Sequence, residues 1–264
     1  MQKTSYFCIH TPLYIIYMIT EAISHYMLQN GVTSLLCKAA LIDMDGVLYD
    51  SMPNHTEAWY RTISAIGIPC DRDEFYLFEG MTRRSTINIL FNRAYGHDAT
   101  EEVSRQLYDE KIKQFNRLPA PSPMPGAAEM LQALQRNNIR PVLVTGSSQG
   151  QLLERLQKDY PGVFVEPYRI TGEDVKHGKP HPEPYLMGLK RAGAAPHEAI
   201  VIENAPLGVK AGAAAGIFTV AVNTGPVPAQ SLYDAGANIV FDSMPTFARE
   251  AEAFIHTFDT TILP

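Results

Sequence analysis

Two aspartates one residue apart, Asp43 and Asp45, stand directly before Gly46 and directly after the apolar run Ala39-Ala40-Leu41-Ile42. A carboxylate at the end of a buried strand is costly unless a cation, a metal or hydrogen bonds compensate it. Three further groups follow in the chain: Thr145-Gly146-Ser147, Gly178-Lys179-Pro180 and Glu203-Asn204. Together they supply the parts for phosphoryl transfer, which needs in-line attack and neutralisation of the transferring oxygens. Asp43 is placed to attack phosphorus and form an aspartyl-phosphate. Asp45 can protonate the leaving oxygen and later activate water. Thr145 and the N–H groups of Gly146 and Ser147 can hold the phosphoryl oxygens, and Lys179 offers a point charge. Asn204, with Asp43 and the carbonyl of Asp45, gives hard oxygen donors suited to Mg²⁺, and Glu203 is counted with them as a metal ligand. Each fragment alone has an ordinary reading as a turn, a solvated lysine or a helix cap. Their arrival in order, each beside an expected strand or helix end, points to a site.

The elements that must position these groups can be read from periodicity. Strands are expected at 39–42, 141–145, 199–203, 218–222 and 239–241, each a short apolar run. Helices are expected at 127–136, 149–158, 182–192 and 207–215 between them. Such alternation indicates a doubly wound parallel sheet covered on both faces, with ligands outside the carboxyl ends of the strands. Between the first and second strands the rhythm is all helical, with helices at 54–66, 71–76, 82–95 and 100–117. That block ends in the proline-dense stretch 119–126, a hinge or boundary signal. The expected division is a catalytic core over 38–53 and 120–264, a helical domain over 54–119 and an N-terminal extension over 1–37. The extension reads as an extra amphipathic helix or a mis-assigned start, with the core beginning at Lys38. Its apolar run over 13–19 is too short to span a bilayer.

The chain has 264 residues, a formal charge of −6 and ordinary hydrophobic and charged fractions of 45% and 19%. No basic stripe marks a nucleic-acid binder. The cysteines Cys8, Cys37 and Cys70 lack metal-like spacing and fit reduced thiols in a cytoplasmic protein. A monomer without membrane partners, acting on a small phosphorylated substrate, is expected.

The four fragments Asp43-Met44-Asp45-Gly46-Val47-Leu48, Val144-Thr145-Gly146-Ser147, Gly178-Lys179-Pro180 and Ile202-Glu203-Asn204-Ala205-Pro206-Leu207-Gly208 resemble the motifs of the haloacid dehalogenase-like superfamily. The likeness runs from about Lys38 to Phe241, and within the superfamily the chain resembles the β-phosphoglucomutase branch. It implies an α/β fold with a Rossmann-like core, an inserted mobile helical cap, Mg²⁺ and an aspartyl-phosphate intermediate. Asp45 marks the phosphotransferase members rather than true dehalogenases. Two departures stand out. Many relatives carry aspartate where this chain has Asn204, and the mutases commonly have lysine where it has Glu79. An acid lost from the core and one gained in the cap suggest that Glu79 reaches Mg²⁺ when the cap closes. Arg83 matches the phosphate-binding arginine of mutase relatives. With His55, Tyr108 and Lys111 it could bind a compact charged leaving group. This pattern resembles a subgroup that includes an inorganic pyrophosphatase. The expected activity is hydrolysis of pyrophosphate or another small phosphate, with β-phosphoglucomutase-type transfer or sugar-phosphate hydrolysis as the alternative and a non-catalytic phosphate sensor as the remote one.

Overall fold

The computed structural model describes residues 12–146 and 150–263. The sheet is six-stranded and wholly parallel, in the order β3-β2-β1-β4-β5-β6. Its strands are β1 (Ala39–Ile42), β2 (Arg140–Val144), β3 (Arg169–Ile170), β4 (Ala199–Glu203), β5 (Phe218–Val222) and β6 (Ile239–Phe241). This order reverses at β1, so the crevice outside β1 and its neighbours is where a ligand fits. The helices are α1 (Pro12–Asn30), α2 (Met52–Ala65), α3 (Glu74–Leu77), α4 (Arg83–Tyr95), α5 (Glu101–Asn116), α6 (Ala127–Arg136), α7 (Gly150–Asp159), α8 (Glu183–Ala192), α9 (Pro206–Ala214), α10 (Ala229–Asp234) and α11 (Met244–Thr260).

Alternation along β1 divides the core. Ala40 and Ile42 pack with α1, α6 and α11 on one face. Ala39 and Leu41 face Tyr185 and Leu189 of α8 and Ala211 of α9 on the other. The period-2 alternation continues past the strand. Met44 is fully buried in the first cluster, so the aspartates on either side of it turn the opposite way.

The N-terminal segment differs from its expected place outside the core. Ile19, Ile23, Tyr26 and Met27 of α1 are buried in the main cluster, and the Tyr26 ring meets Phe218 edge-on with centroids 5.4 Å apart. Their spacing puts one helix face against the sheet-covering layer, next to α11. Helix α11 itself, the short strand β3 and α10 are additions to the elements expected from periodicity. Among the described residues no helix is long and apolar enough to cross a membrane.

Helices α2 to α5 form a cap with its own cluster, including Ile63, Phe75, Ile87, Leu90 and Leu107. Thr82 and Thr100 cap α4 and α5, their hydroxyls accepting from the N–H groups of Ser85 and Val103. The two chain crossings into the cap lie side by side. Asp50 N–H donates to Ser122 O at 3.0 Å and Met124 N–H to Leu48 O at 2.9 Å.

Candidate active site

Asp43 is held by the ladder itself: its N–H donates to Ile202 O at 3.0 Å, one step beyond the paired residues of β1 and β4. The chain then turns through Gly46, whose φ is +79°. A Cβ there would lie 2.0 Å from Asn204 Nδ2, so glycine is required by both conformation and space. Asp43, Asp45, Thr145, Lys179, Glu203 and Asn204 are all buried and converge at the carboxyl ends of β1, β2 and β4.

Lys179 is the hub. Its ammonium donates to Asp43 Oδ1, to Glu203 Oε1 at 2.6 Å and to Val144 O at 3.1 Å. Burial works against its charge, but the two carboxylates outweigh that and raise its pKa. Glu203 was grouped with the metal ligands on sequence, yet its oxygens are committed elsewhere. Oε1 also accepts from Tyr185 Oη at 2.8 Å, and Oε2 accepts from the N–H groups of Asn204 and Ala205. The geometry makes it the residue that positions Lys179. Gly208 of α9 leaves room for it, since a Cβ there would sit 1.7 Å from Glu203 Oε1.

Asp45 has a different environment. Ser51 Oγ donates to its Oδ1 at 2.6 Å, and His55 Nε2 approaches the same oxygen at 3.0 Å. Ser51 is the N-cap residue of α2, but its hydroxyl serves Asp45 instead of capping the helix. Lys111 Nζ lies 2.7 Å from His55 Nδ1, so a chain of polar contacts runs from α5 through α2 to the core. Burial raises the Asp45 pKa, but His55 and Ser51 overcome it and hold the carboxyl below its ordinary value. Burial lowers the Lys111 pKa to about 7, against the opposing pull of Asp45. Burial and then Lys111 also lower that of His55. The partners suit a neutral imidazole that donates from Nε2 and accepts at Nδ1.

The lowered Lys111 pKa leads to a prediction. Below about pH 7 the folded protein carries this buried charge, while an unfolded lysine keeps its proton up to its ordinary 10.5. The cost of burying the charged amine is thus fully present below pH 7 and is relieved as pH rises toward 10.5. Lys111→Met is expected to raise Tm near neutral pH and to raise KM about tenfold or more, since it removes a cation facing the cavity. Thermal melts and initial-rate kinetics on the same preparation check both signs.

Cap and core enclose a cavity of about 90 Å³. Typical small-molecule pockets hold roughly 300–1,000 Å³. Asp43, Asp45, Thr145, Gly146 and Lys179 line its floor; His55, Glu79, Arg83, Tyr108 and Lys111 line the cap side. Trp59, Phe75 and Phe78 add an aromatic wall, with Trp59 stacked on Phe75 at 6.1 Å. Arg83 is exposed and is paired with Glu101 at 3.1 Å. Ser147 lies outside the described residues. Sequence reasoning missed Ser51 and Tyr185; the serine's place at a helix start was visible, but its turn toward Asp45 was not.

The donor set has room for a divalent cation. Asn204 Nδ2 donates to both oxygens of Glu79, at 3.0 and 3.2 Å, while Asn204 Oδ1 is buried and has no hydrogen-bond partner. Burial, then repulsion from Asp43 and Glu203, pushes the Glu79 pKa well up. Asp43 is pushed to about 8, by burial and by Glu203 and Asp45 against the opposing Lys179. A nucleophilic carboxylate must be ionised near neutrality, so the crowding calls for more positive charge than Lys179 alone supplies. Asp43, Glu79 and the orphaned Asn204 oxygen are hard donors of the type such an ion takes.

The family model for haloacid dehalogenase-like hydrolases matches residues 37–216. The chain belongs to that family. Among its haloacid dehalogenase-like relatives, a phosphorylated carbohydrates phosphatase of Thermotoga maritima is 33% identical over 183 residues, covering 68% of this chain and 82% of the relative. The β-phosphoglucomutase of Bacillus subtilis is 28% identical over 196 residues, covering 71% and 84%. A solved Bacteroides vulgatus structure, provisionally described as a β-phosphoglucomutase, is 48% identical with a TM-score of 0.89, covering 92% of this chain and 99% of that one. This haloacid dehalogenase-like chain is therefore an enzyme of the phosphatase and phosphotransferase type, with the Rossmann-like core of the family.

Proposed function

We propose that this protein is a Mg²⁺-dependent phosphatase of small phosphorylated metabolites, with sugar phosphates as its main substrates. The observation that carries the chemistry is the Asp43–Lys179–Glu203 cluster facing Asp45 across the cavity floor. In the first half-reaction an Asp43 oxygen attacks phosphorus in line, the bond from phosphorus to the leaving oxygen breaks, and Asp45 gives that oxygen its proton. Before this step the Lys111–His55 chain is the route by which Asp45, held below its ordinary value, can be loaded with the proton it gives. In the second half Asp45 takes a proton from water, the water oxygen attacks phosphorus, and the acyl-phosphate bond to Asp43 breaks. Thr145 and the Gly146 N–H hold phosphoryl oxygens while Lys179 neutralises them. Asp43, the Asp45 carbonyl, Asn204 and Glu79 are the residues that would hold Mg²⁺. The ion would supply charge neutralisation and lower the Asp43 pKa.

Two observations support sugar phosphates. The Thermotoga relative bears a carbohydrate-phosphatase name, and the aromatic wall of Trp59, Phe75 and Phe78 offers apolar surface that a sugar can use and a bare phosphate cannot. Pyrophosphate is the second reading, favoured by the small cavity and the Glu79–Asn204 pairing. The test compares sugar phosphates, pyrophosphate, and β-glucose 1-phosphate with its bisphosphate activator, following phosphate release and isomer formation together. Highest kcat/KM for release from a sugar phosphate supports the proposal. Highest kcat/KM for pyrophosphate selects the second reading, and isomerisation without release overturns both.

Glu79→Gln is expected to weaken the apparent Mg²⁺ affinity about 10–100-fold, the size of effect usual for a group that ligates or orients at a metal. The readout is phosphate release against Mg²⁺ concentration. An unchanged curve breaks the link between Glu79 and the metal.

A further inference from the structure

Three side chains outside the reaction centre come together around the loop that carries Lys179. His177 Nδ1 lies 2.8 Å from Glu183 Oε2, and His181 Nδ1 lies 3.9 Å from the same oxygen. The two imidazole rings have centroids 4.6 Å apart. One ligand atom from each residue lies within 4.8 Å of the others, and this is the one trio of histidine, cysteine or carboxylate donors among the described residues that meets this spacing. Zn²⁺ at about 2.0–2.1 Å from nitrogen and oxygen donors sets neighbouring tetrahedral ligands about 3.3 Å apart. The observed 2.8 and 3.9 Å separations bracket that value.

We propose that His177, His181 and Glu183 form a second metal site, for a borderline divalent ion of the Zn²⁺ class, that braces the Lys179 loop. Two imidazoles and one carboxylate are a recurrent three-ligand zinc set, with water free to complete the shell. The adjustment it needs is small. Both histidine side chains are exposed, at 63% and 50%, so they can rotate without disturbing packing. His181 Nδ1 now accepts from Glu183 N–H at 3.1 Å, and that N–H at the start of α8 can turn to water when the ring leaves it. The carboxylate is already fixed: Oε1 and Oε2 accept from the N–H groups of Lys176 and His177, at 2.9 and 3.0 Å. A ligand held in place before the ion arrives lowers the cost of binding.

The location gives the site its role. Gly178, Lys179 and Pro180 are the residues between the two histidines. Gly178 packs so close to Thr82 of the cap that a Cβ would lie 2.9 Å from its Cγ2. An ion joining His177 to His181 and Glu183 clamps both ends of this segment to α8. It touches neither Asp43 nor Asp45, so its part is to fix the loop, outside the chemistry.

The test strips the protein of metal and titrates Zn²⁺ alone by calorimetry, in excess Mg²⁺ so that the core site is occupied. Co²⁺ is titrated in parallel for its visible bands. Imidazole favours Zn²⁺ and Co²⁺ over Mg²⁺, so one saturable site that Mg²⁺ does not displace is expected. His177→Ala and His181→Ala should each weaken Zn²⁺ binding at least about tenfold while circular dichroism stays native. A measurement without mutation accompanies it: Ni²⁺ should broaden the ring-proton signals of His177 and His181 before those of the other histidines. Absence of saturable Zn²⁺ binding, equal binding by a protein carrying both His177→Ala and His181→Ala, or Ni²⁺ broadening that spares both rings overturns the proposal.

Discussion

Asp43→Asn should leave a folded protein that releases phosphate at least about 10³-fold more slowly. Loss of a nucleophile removes every step that depends on a covalent intermediate, leaving only binding and charge stabilisation. The fold should survive because Lys179 keeps Glu203 and Val144 O as partners. The substitution also has a signature in stability. Without metal the Asp43 carboxyl titrates at about 8 in the folded protein, against an ordinary 3.8. Between these values the folded state binds the extra proton, so stability falls as pH rises through that window. In Asp43→Asn the contribution disappears, and the unfolding free energy of the metal-free variant should depend less on pH from about 4 to 8. Denaturant melts across that range, with chelator present, measure the difference. A variant that still turns over at the unmutated rate would remove Asp43 from the chemistry.

Lys179→Met should be the most destabilising change in the site. The ammonium is the shared partner of Asp43 and Glu203, both of them buried. Removing one partner of a buried ion pair costs about 3–5 kcal/mol, because the remaining charge has no compensation. For a chain of this size that corresponds to a fall in Tm of roughly 10 °C. Turnover should vanish as well, since the transferring oxygens lose their fixed cation. Part of the lost stability should return as pH falls, where Asp43, already pushed up by burial, takes up its proton. A melt at neutral pH that matches the unmutated protein would show that Lys179 does not carry the pair.

The strand-end residues were legible because each sits at a fixed place in a repeating pattern. Asp43, Thr145 and Glu203 each close or directly follow an apolar run, and a parallel sheet brings such ends together. What the residues do to one another was not legible. Glu203 reads like a metal ligand until Tyr185, Lys179 and two backbone N–H groups take up its oxygens. These partners converge only in space. The same holds for Ser51, whose position suggests a helix cap and whose hydroxyl faces Asp45. Elements were missed for different reasons. Strand β3 is two residues long, too short for any periodic signal. Helix α11 had a clear one: Phe247, Ala251, Phe254, Ile255 and Phe258 are buried along one face, and Ser243 accepts from Thr246 N–H at its start. Substrate is the weakest point of the sequence reading. It favoured pyrophosphate from Glu79 and Asn204, whereas the relatives and the aromatic wall weigh toward sugar phosphates.

The paired crossings beneath the cap have a consequence for how such an enzyme can diversify. Because Asp50 and Ser122 are already hydrogen-bonded, the core closes on itself below the point where α2 to α5 are inserted. The inserted helices work as a cassette on a doorstep that is already paired across its base. Exchanging them changes which leaving group is held and leaves Asp43, Lys179 and Glu203 where they are. The nucleophile and its lysine are thus inherited through a stretch of chain separate from the cap, and the two stretches must stay matched where His55, Lys111 and Glu79 reach Asp45 and Asn204.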